Sequence, residues 1–487
     1  MRIESNLKFL SGLRKTKYKK GEKVMFNETR NTSALVGEPK PLFFKGVLVA
    51  VLGIVIAVGA PVSGEATVVG TGDPAVDLPA AQAAVDGGGT VTLKNGGTNG
   101  EITLNFGTGG LTIRNEVTIQ GEDVAGNMAR IEASGDPAFY SGNKAFYIDV
   151  GGSDNVTIKN CHIACTGQNC ISGYDIMTTG TVRLENNVID GAYAIWFGAY
   201  GGTPQLVTNY EICNNTVRAT NFSIALVDAK SVKIENNETE SPYGILAANI
   251  GSNNGITVKD NTVNASGGYF YEDGNLTLTA GMRVSHFPGF SGGEISGNSI
   301  SVAPVSVGAP IWSIGIAYGY GIPANGVLTA HNTISGQADY AIALVDGSSN
   351  NIFAWNDLSG ITVQKMDIFS ANQILLSAGS DNNIFTKNTI GPLGDGATAG
   401  IKCEGSSNDF IRNDYTQSSI PGLTAGAIPC VWLANSYDPD AGDLIAEPKN
   451  NLVFEPDGFP PGTTAAEQVL DDPYGISGTT TNTVVGH

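Results

Sequence analysis

One phrase recurs along this chain and restricts its fold more than any other feature. Residues 231–239 read S-V-K-I-E-N-N-E-T, and variants return as T-V-R-L-E-N-N-V-I, G-I-T-V-K-D-N-T-V and N-N-I-F-T-K-N-T-I. Each copy is a short apolar alternation, one or two Asn, then a further apolar residue. The anchor Asn falls at Asn160, Asn187, Asn215, Asn237, Asn261, Asn298, Asn332, Asn356, Asn388 and Asn413, at intervals of 22 to 37 residues. A period in the twenties with longer excursions is the mark of a solenoid. Helical repeats need apolar residues at i, i+3 and i+4. Here they alternate, as in Val232/Ile234 and Ile224/Leu226, and alternation rich in Ile and Val between Gly, Asn and Ser means strands.

Each coil therefore holds two or three short strands joined by tight turns. Coils stacked in register give parallel sheets about 4.8 Å apart. The recurring Asn has two physical reasons: it tolerates the left-handed turn conformation, and identical amides one rung apart can hydrogen-bond as a ladder.

A second strand set precedes the Asn strand: A-I-W-F at 194–197, S-I-A-L-V-D at 223–228, G-I-L-A-A-N at 244–249, G-M-R-V-S-H at 281–286, S-I-G-I-A-Y at 313–318, A-I-A-L-V-D at 341–346 and G-I-K-C-E at 400–404. Turns G-S-S-N-N (347–351) and G-S-S-N-D (405–409) link it to the Asn strand. These coils resemble the right-handed parallel β-helix repeat family, the pectin-lyase-like superfold, over roughly residues 75–455. The resemblance implies an all-β, single-stranded right-handed parallel β-helix of about eleven coils. It implies little about function, because one superfold hosts many activities.

In chain order, residues 1–42 carry 10 Lys/Arg against 4 Asp/Glu, and an uncharged run follows at 46–62. Small residues come next at Ala60, Ser63, Gly64 and Ala66. This is the order of a secretory signal, with residues 1–64 either cleaved near 60–66 or kept as a membrane anchor through 46–62. Export places the protein in the cell envelope or outside the cell. Without residues 1–64 the chain has 16 basic and 42 acidic residues, net −26. Such a surface repels nucleic acid and anionic membranes. It also repels polyanionic sugars unless a cation such as calcium bridges them.

Residues 65–89 read as an N-terminal cap for the solenoid's open end. Residues 76–85 suit a helix with Asp77 as N-cap, Pro79 in the first turn and glycines 87–89 ending it. The β-helix follows at 90–454, and residues 455–487 form a C-terminal cap or tail. Six cysteines, at 161, 165, 170, 213, 403 and 430, are disulfide candidates in an exported chain. Cys165 with Cys170, Cys161 with Cys213 and Cys403 with Cys430 are the natural pairings, with buried thiols as the alternative. Cys161, His162, Cys165 and Cys170 also hold enough donors for zinc. Their spacing matches no standard motif, so no metal site is assigned.

Known enzymes of the resembled superfold place catalytic groups on the outer face of a stacked sheet. Their familiar signatures are absent: no paired Asp with G-H-G and R-I-K, and no W-I-D-H. Stacking the second strand set puts Trp196, Arg283, Lys402 and Trp432 in one outward column. Asp228, Asn249, His286, Tyr318 and Asp346 fall at the strand ends. Long insertions, with Tyr271 in one and Trp312 in the other, flank the rung of Arg283 and His286, and long loops over a rigid scaffold concentrate binding sites.

As a catalytic set, Arg283 would hold a carboxylate or help remove a proton, with His286 or Tyr318 as acid or base. Asp228 and Asp346 would bind a cation or protonate a leaving group, Asn249 and Trp196 would contact substrate, and Trp312 and Tyr271 would stack on sugar rings. The plain alternative is a set of polar turn residues. Four rungs, about 19 Å, separate Asp228 from Asp346, too far for one carboxylate pair. The sequence thus points to a polysaccharide-binding or adhesion module outside the cell, with a polysaccharide lyase or glycosidase as the rival reading. Metal delivery in the periplasm is a more distant third.

Overall fold

The computed structural model describes residues 64–486, apart from 123–127, 135–143, 167–168, 175, 199–205, 271–276, 305–310, 320, 364–370, 395, 416–428, 438–443, 447, 456–467 and 472–481. Residues 1–63, which hold all but the last residue of the segment expected to be a signal or anchor, and Tyr271 therefore lie outside the described residues. Among those described, no helix is long and apolar enough to cross a membrane.

One coil shows the plan. Ser231–Glu235 is its first strand, Glu238–Ser241 its second and Tyr243–Ile250 its third. First strands stack into a fifteen-stranded sheet, and second and third strands merge into one of twenty-two. In two coils the second and third strands are continuous, Val188–Gly198 and Thr216–Val227. Every coil-to-coil pairing is parallel. Tyr269–Phe270 folds back antiparallel on Thr277–His286, and Ser436–Tyr437 on Leu444–Ala446. Parallel crossovers of this kind are right-handed. The fold is a right-handed parallel β-helix.

The interior follows from the pleat. Ile195, Ile224, Ile245, Met282, Ile316, Ile342, Ile374, Ile401 and Val431 pair rung to rung as one unbroken column. All nine are fully buried. Each such side chain contributes about 1.5–3 kcal/mol by leaving water.

The asparagine ladder is present, with one correction. Asn187, Asn215, Asn237, Asn261, Asn298, Asn332, Asn356, Asn388 and Asn413 are all buried at the corner between first and second strands. Each amide from Asn187 to Asn388 donates Nδ2–H to the Oδ1 of the next Asn at 2.8–3.0 Å. The same Oδ1 also accepts the backbone N–H of that donating ladder Asn. Asn160 is not a member: Cys161 fills the ladder position and donates its N–H to Asn187 Oδ1 at 3.0 Å.

The left-handed conformation belongs to the residue before the ladder, not to the ladder Asn. Asn160, Asn186, Asn214, Asn236 and Asp260 hold it, as do His331, Trp355, Lys387 and Arg412, at φ between 53° and 57°. A second ladder, absent from the sequence reading, runs Asn351–Asn383–Asn408–Asn451–Asn482 at the corner after the third strand. Three of its members come from the S-S-N-N/D turns and the related D-N-N at 381–383.

The helix is Pro74–Asp86, one turn earlier than its pattern predicts. Asp73 is the N-cap, accepting from Ala75 N–H, and Pro74 takes the first position. Asp77 instead ties the helix to the first coils, accepting from Thr71 N–H and Oγ1–H, Gly72 N–H and Asn105 N–H. Glu65–Val69 precedes the helix and already pairs with Gly89–Lys94. At the far end Val469–Asp471 and Thr483–Gly486 add parallel strands to the stack.

Candidate functional site

The pleat separates the three residues proposed for catalysis. Arg283 pairs with Leu246 and Ala317 on the outer face of the third strands. Its guanidinium lies 5.2 Å from the Trp312 ring centre, and Nη2–H donates to Gly319 carbonyl at 3.3 Å. Tyr318 is next to Ala317 in sequence and so faces inward, paired with Leu344. It is fully buried, edge-on to Phe353, with its hydroxyl bonded to Thr329 Oγ1. Burial pushes its phenol far above the usual range. His286 is 1% exposed. Its Nε2–H donates to Gly292 carbonyl at 2.8 Å and its Nδ1 accepts from Asn325 N–H at 3.2 Å. Burial lowers its pKa, so the ring is neutral and both nitrogens hold backbone. No groove gathers these three side chains.

The strand-end polar residues do what left-handed turns require. Asp228, Asn249 and Asp346 have φ of 59°, 57° and 56°. Asn249 Nδ2–H donates to Asp228 Oδ1 at 2.9 Å, and Asp346 Oδ2 accepts Gly321 N–H at 2.9 Å. Among the described residues no group of three His, Cys, Asp or Glu side chains could hold a metal ion. The Cys161, His162, Cys165, Cys170 set is split by the same pleat: the three cysteines are buried while His162 points out. All six cysteines are free and buried, which is the alternative to the three candidate pairings. Burial raises Cys161 and Cys403 to about 12, which leaves them unreactive.

The outward column predicted from sequence is present. Trp196, Ala225, Leu246, Arg283, Ala317, Ala343, Leu375, Lys402 and Trp432 follow one another in register. Around it, outside the solenoid core, lies an aromatic belt. Tyr193 stacks on Phe222 at 5.9 Å, Phe222 on Tyr243 at 4.4 Å, and Trp196 meets Phe222 edge-on at 5.6 Å. Trp312 joins this cluster to a second one of Ile314, Ala317, Tyr340 and Ala343.

Cations sit on aromatic faces at three heights. Lys144 Nζ is 4.4 Å from Tyr147 and 4.1 Å from Tyr174, Arg283 covers Trp312, and Lys402 Nζ is 5.1 Å from Trp432. Sequence reasoning missed Lys144, Tyr147, Tyr174, Tyr193, Phe222 and Tyr243. Their signal was aromatic residues at outward parity in successive coils, visible only once the register is known.

Burial lowers Lys144 to about 8. Its unfolded value is near 10.4, so between those pH values the unfolded chain binds the extra proton and stability rises with pH. Relative to Lys144→Met, the wild type is therefore expected to gain stability as pH rises from 8 toward 10. A difference in urea midpoints that stays constant over that interval would contradict the assignment.

No family model matches the chain, and no curated protein matches it. Solved structures do. A tailspike protein mutant of E. coli bacteriophage HK620, in complex with a pentasaccharide, aligns over 85% of this chain and 75% of its own, at 14% identity and TM-score 0.41. DFA-IIIase from Arthrobacter chlorophenolicus A6, in complex with DFA-III, aligns over 86% and 98%, at 12% and 0.39. The Dettilon tailspike protein aligns over 72% and 67%, at 12% and 0.35. These are likenesses of fold alone.

Proposed function

We propose that this chain is a carbohydrate-binding β-helix acting outside the cytoplasm, and that a glycan lies along the outer face of its third strands. The observation behind the proposal is the placement of tryptophan. Of four in the chain, Trp196, Trp312 and Trp432 lie half-buried on this one face. The register column from Tyr147 to Trp432 spans ten rung spacings, about 48 Å. Its middle positions Ala225, Leu246, Arg283, Ala317 and Ala343 are buried, so a glycan would meet the half-exposed rings around the column rather than the column itself. Aromatic rings offer flat apolar area to sugar C–H faces at little entropy cost. The ammonium groups of Lys144 and Lys402 lie beside those rings and supply hydrogen-bond donors to hydroxyl or carboxylate oxygens, while Arg283, only 6% exposed, lies against Trp312. The export half of the reading rests on the leader-like residues 1–64.

The test is titration of the chain with neutral and uronate-bearing oligosaccharides, with and without calcium, followed by tryptophan fluorescence and calorimetry. Saturable binding is expected, weakened about tenfold in Trp196→Ala, which corresponds to about 1.4 kcal/mol. Absence of binding across the panel, or unchanged affinity in both Trp196→Ala and Trp312→Ala, would overturn the assignment.

A further inference from the structure

A different face, on the outer side of the second strands near the N-terminal end, carries a second constellation. Arg130 and His162 are neighbours in register, and one column over Glu132, Ala164 and Asp190 follow one another. His162 Nε2–H donates to Asp190 Oδ2 at 2.8 Å. That bond fixes the tautomer and leaves Nδ1 as the basic atom, which accepts a long hydrogen bond from Arg130 Nη1–H at 3.5 Å. Arg130 Nε–H donates to Glu132 at 2.9 Å, and Arg218 Nη1–H donates to Asp190 Oδ1 at 3.3 Å.

The Arg130 backbone is pinned as well: its N–H donates to Asn95 Oδ1 at 2.8 Å, while Asn95 Nδ2–H donates to Met128 carbonyl at 3.2 Å. His162 and Arg130 form one wall of a recess of about 380 Å³, shared with Asn95, Glu101, Thr103 and Met128. The His162 and Asp190 side chains are 24% and 36% exposed, so the dyad is reachable from solvent.

We propose that this recess is a hydrolytic site for a small carboxylic ester, with His162 as general base, Asp190 as its positioning residue and Arg130 as the group that meets the developing oxyanion. The parts are those that water-driven acyl transfer needs: a base, a group that orients it, and a cation beside the reacting carbonyl. When Arg130 turns to the substrate carbonyl it releases His162 Nδ1, which takes a proton from water as the water oxygen bonds to the acyl carbon, and the carbonyl π electrons move to oxygen beside Arg130. Collapse breaks the C–O ester bond, and the leaving alkoxide takes the proton back from Nδ1. Acid and alcohol are the products, and water is the sole co-reactant.

Glycoside hydrolysis fits the recess less well, since it requires a carboxyl group that holds its proton. Glu101, the carboxylate in the recess wall, is held below its usual range by backbone N–H donors, its own and that of Asn99. Among the described residues, Arg130, Glu132, Asp190, Arg218, Glu238 and Glu240 are charged groups on this face of the second strands, and Glu101 stands in the recess wall.

The experiment measures p-nitrophenyl acetate hydrolysis by the full chain from pH 5 to 9. The expected result is kcat/KM at least 100-fold above equimolar free imidazole, falling in acid as the base protonates. His162→Gln should lose that excess, and His162→Ala should recover part of it with added imidazole. Asp190→Asn should lower kcat and displace the acid limb toward lower pH, because the imidazolium loses its carboxylate partner. Arg130→Met should lower kcat and displace the limb the other way, because a cation beside Nδ1 is removed. These side chains are partly exposed, and matching circular dichroism confirms folding. A wild-type rate no greater than free imidazole, or a folded His162→Gln at wild-type rate, overturns the proposal. Neither outcome bears on glycan binding at the third-strand face.

Discussion

Asn332→Ala is expected to destabilise the chain by about 3–5 kcal/mol, among the largest effects of any single polar substitution in it. The wild-type amide is fully buried. Its Oδ1 accepts from Asn298 N–H at 3.1 Å and Asn298 Nδ2–H at 2.8 Å. Its Nδ2 donates to Ile295 carbonyl at 2.9 Å, Ala330 carbonyl at 3.2 Å and Asn356 Oδ1 at 3.0 Å. Alanine leaves the Asn298 N–H and the Ile295 carbonyl without those partners in a dry corner, each costing about 1–3 kcal/mol.

Asn332→Asp should do no better, because a carboxylate would face acceptors where the amide donates. Asn236→Gly is the contrast. Asn236 has φ of 54° and is exposed, so glycine fits its conformation and the change should stay within about 0.5 kcal/mol. Urea midpoints at constant m-value measure both. Equal effects of the two substitutions would mean that the ladder is not what holds the corner.

How much of this was legible in sequence follows from parity. The ladder residues were readable because each sits next to a strict apolar alternation, which fixes register within each first and second strand. Asn160 misled because two residues share the corner, one left-handed and one laddered, and Asn suits both. The third strands were harder. Where second and third strands bend into one another, two consecutive residues turn inward, as Ala194 and Ile195 do, and alternation no longer reports the face. The outward column through Trp196 and Arg283 survived that break because it was counted from the repeated apolar pairs.

The strand ends did not survive it. A shift between Ala247 and Ile250 moves His286 out of line with Asn249, and Tyr318 pairs with Leu344, two residues before Asp346. In sequence His162 stands among its cysteine neighbours, because contacts along the sequence are visible and contacts across rungs are not. Asp190 reaches it from 28 residues away.

The same interior geometry sets the second large effect, Phe385→Ala, expected to cost about 3–5 kcal/mol. Phe353, Phe385 and Phe410 occupy one register column of the first strands and are fully buried. Phe385 stacks on Phe353 with centroids 4.5 Å apart and planes 3° from parallel, and on Phe410 at 5.5 Å. Truncation therefore removes two ring contacts at once, each contributing about 0.5–1.5 kcal/mol beyond area burial. The rungs above and below cannot close the gap, because backbone hydrogen bonds hold them about 4.8 Å apart.

Phe385→Leu should recover more than half of the loss. Tyr318, edge-on to Phe353 at 5.1 Å, supplies the comparison. Tyr318→Phe keeps the ring and drops the hydroxyl on Thr329, so about 1 kcal/mol is expected from denaturant midpoints, with glycan affinity unchanged. A Phe385→Ala cost below about 1.5 kcal/mol would show that the column relaxes, and that the interior is less closely packed than its ring spacing requires.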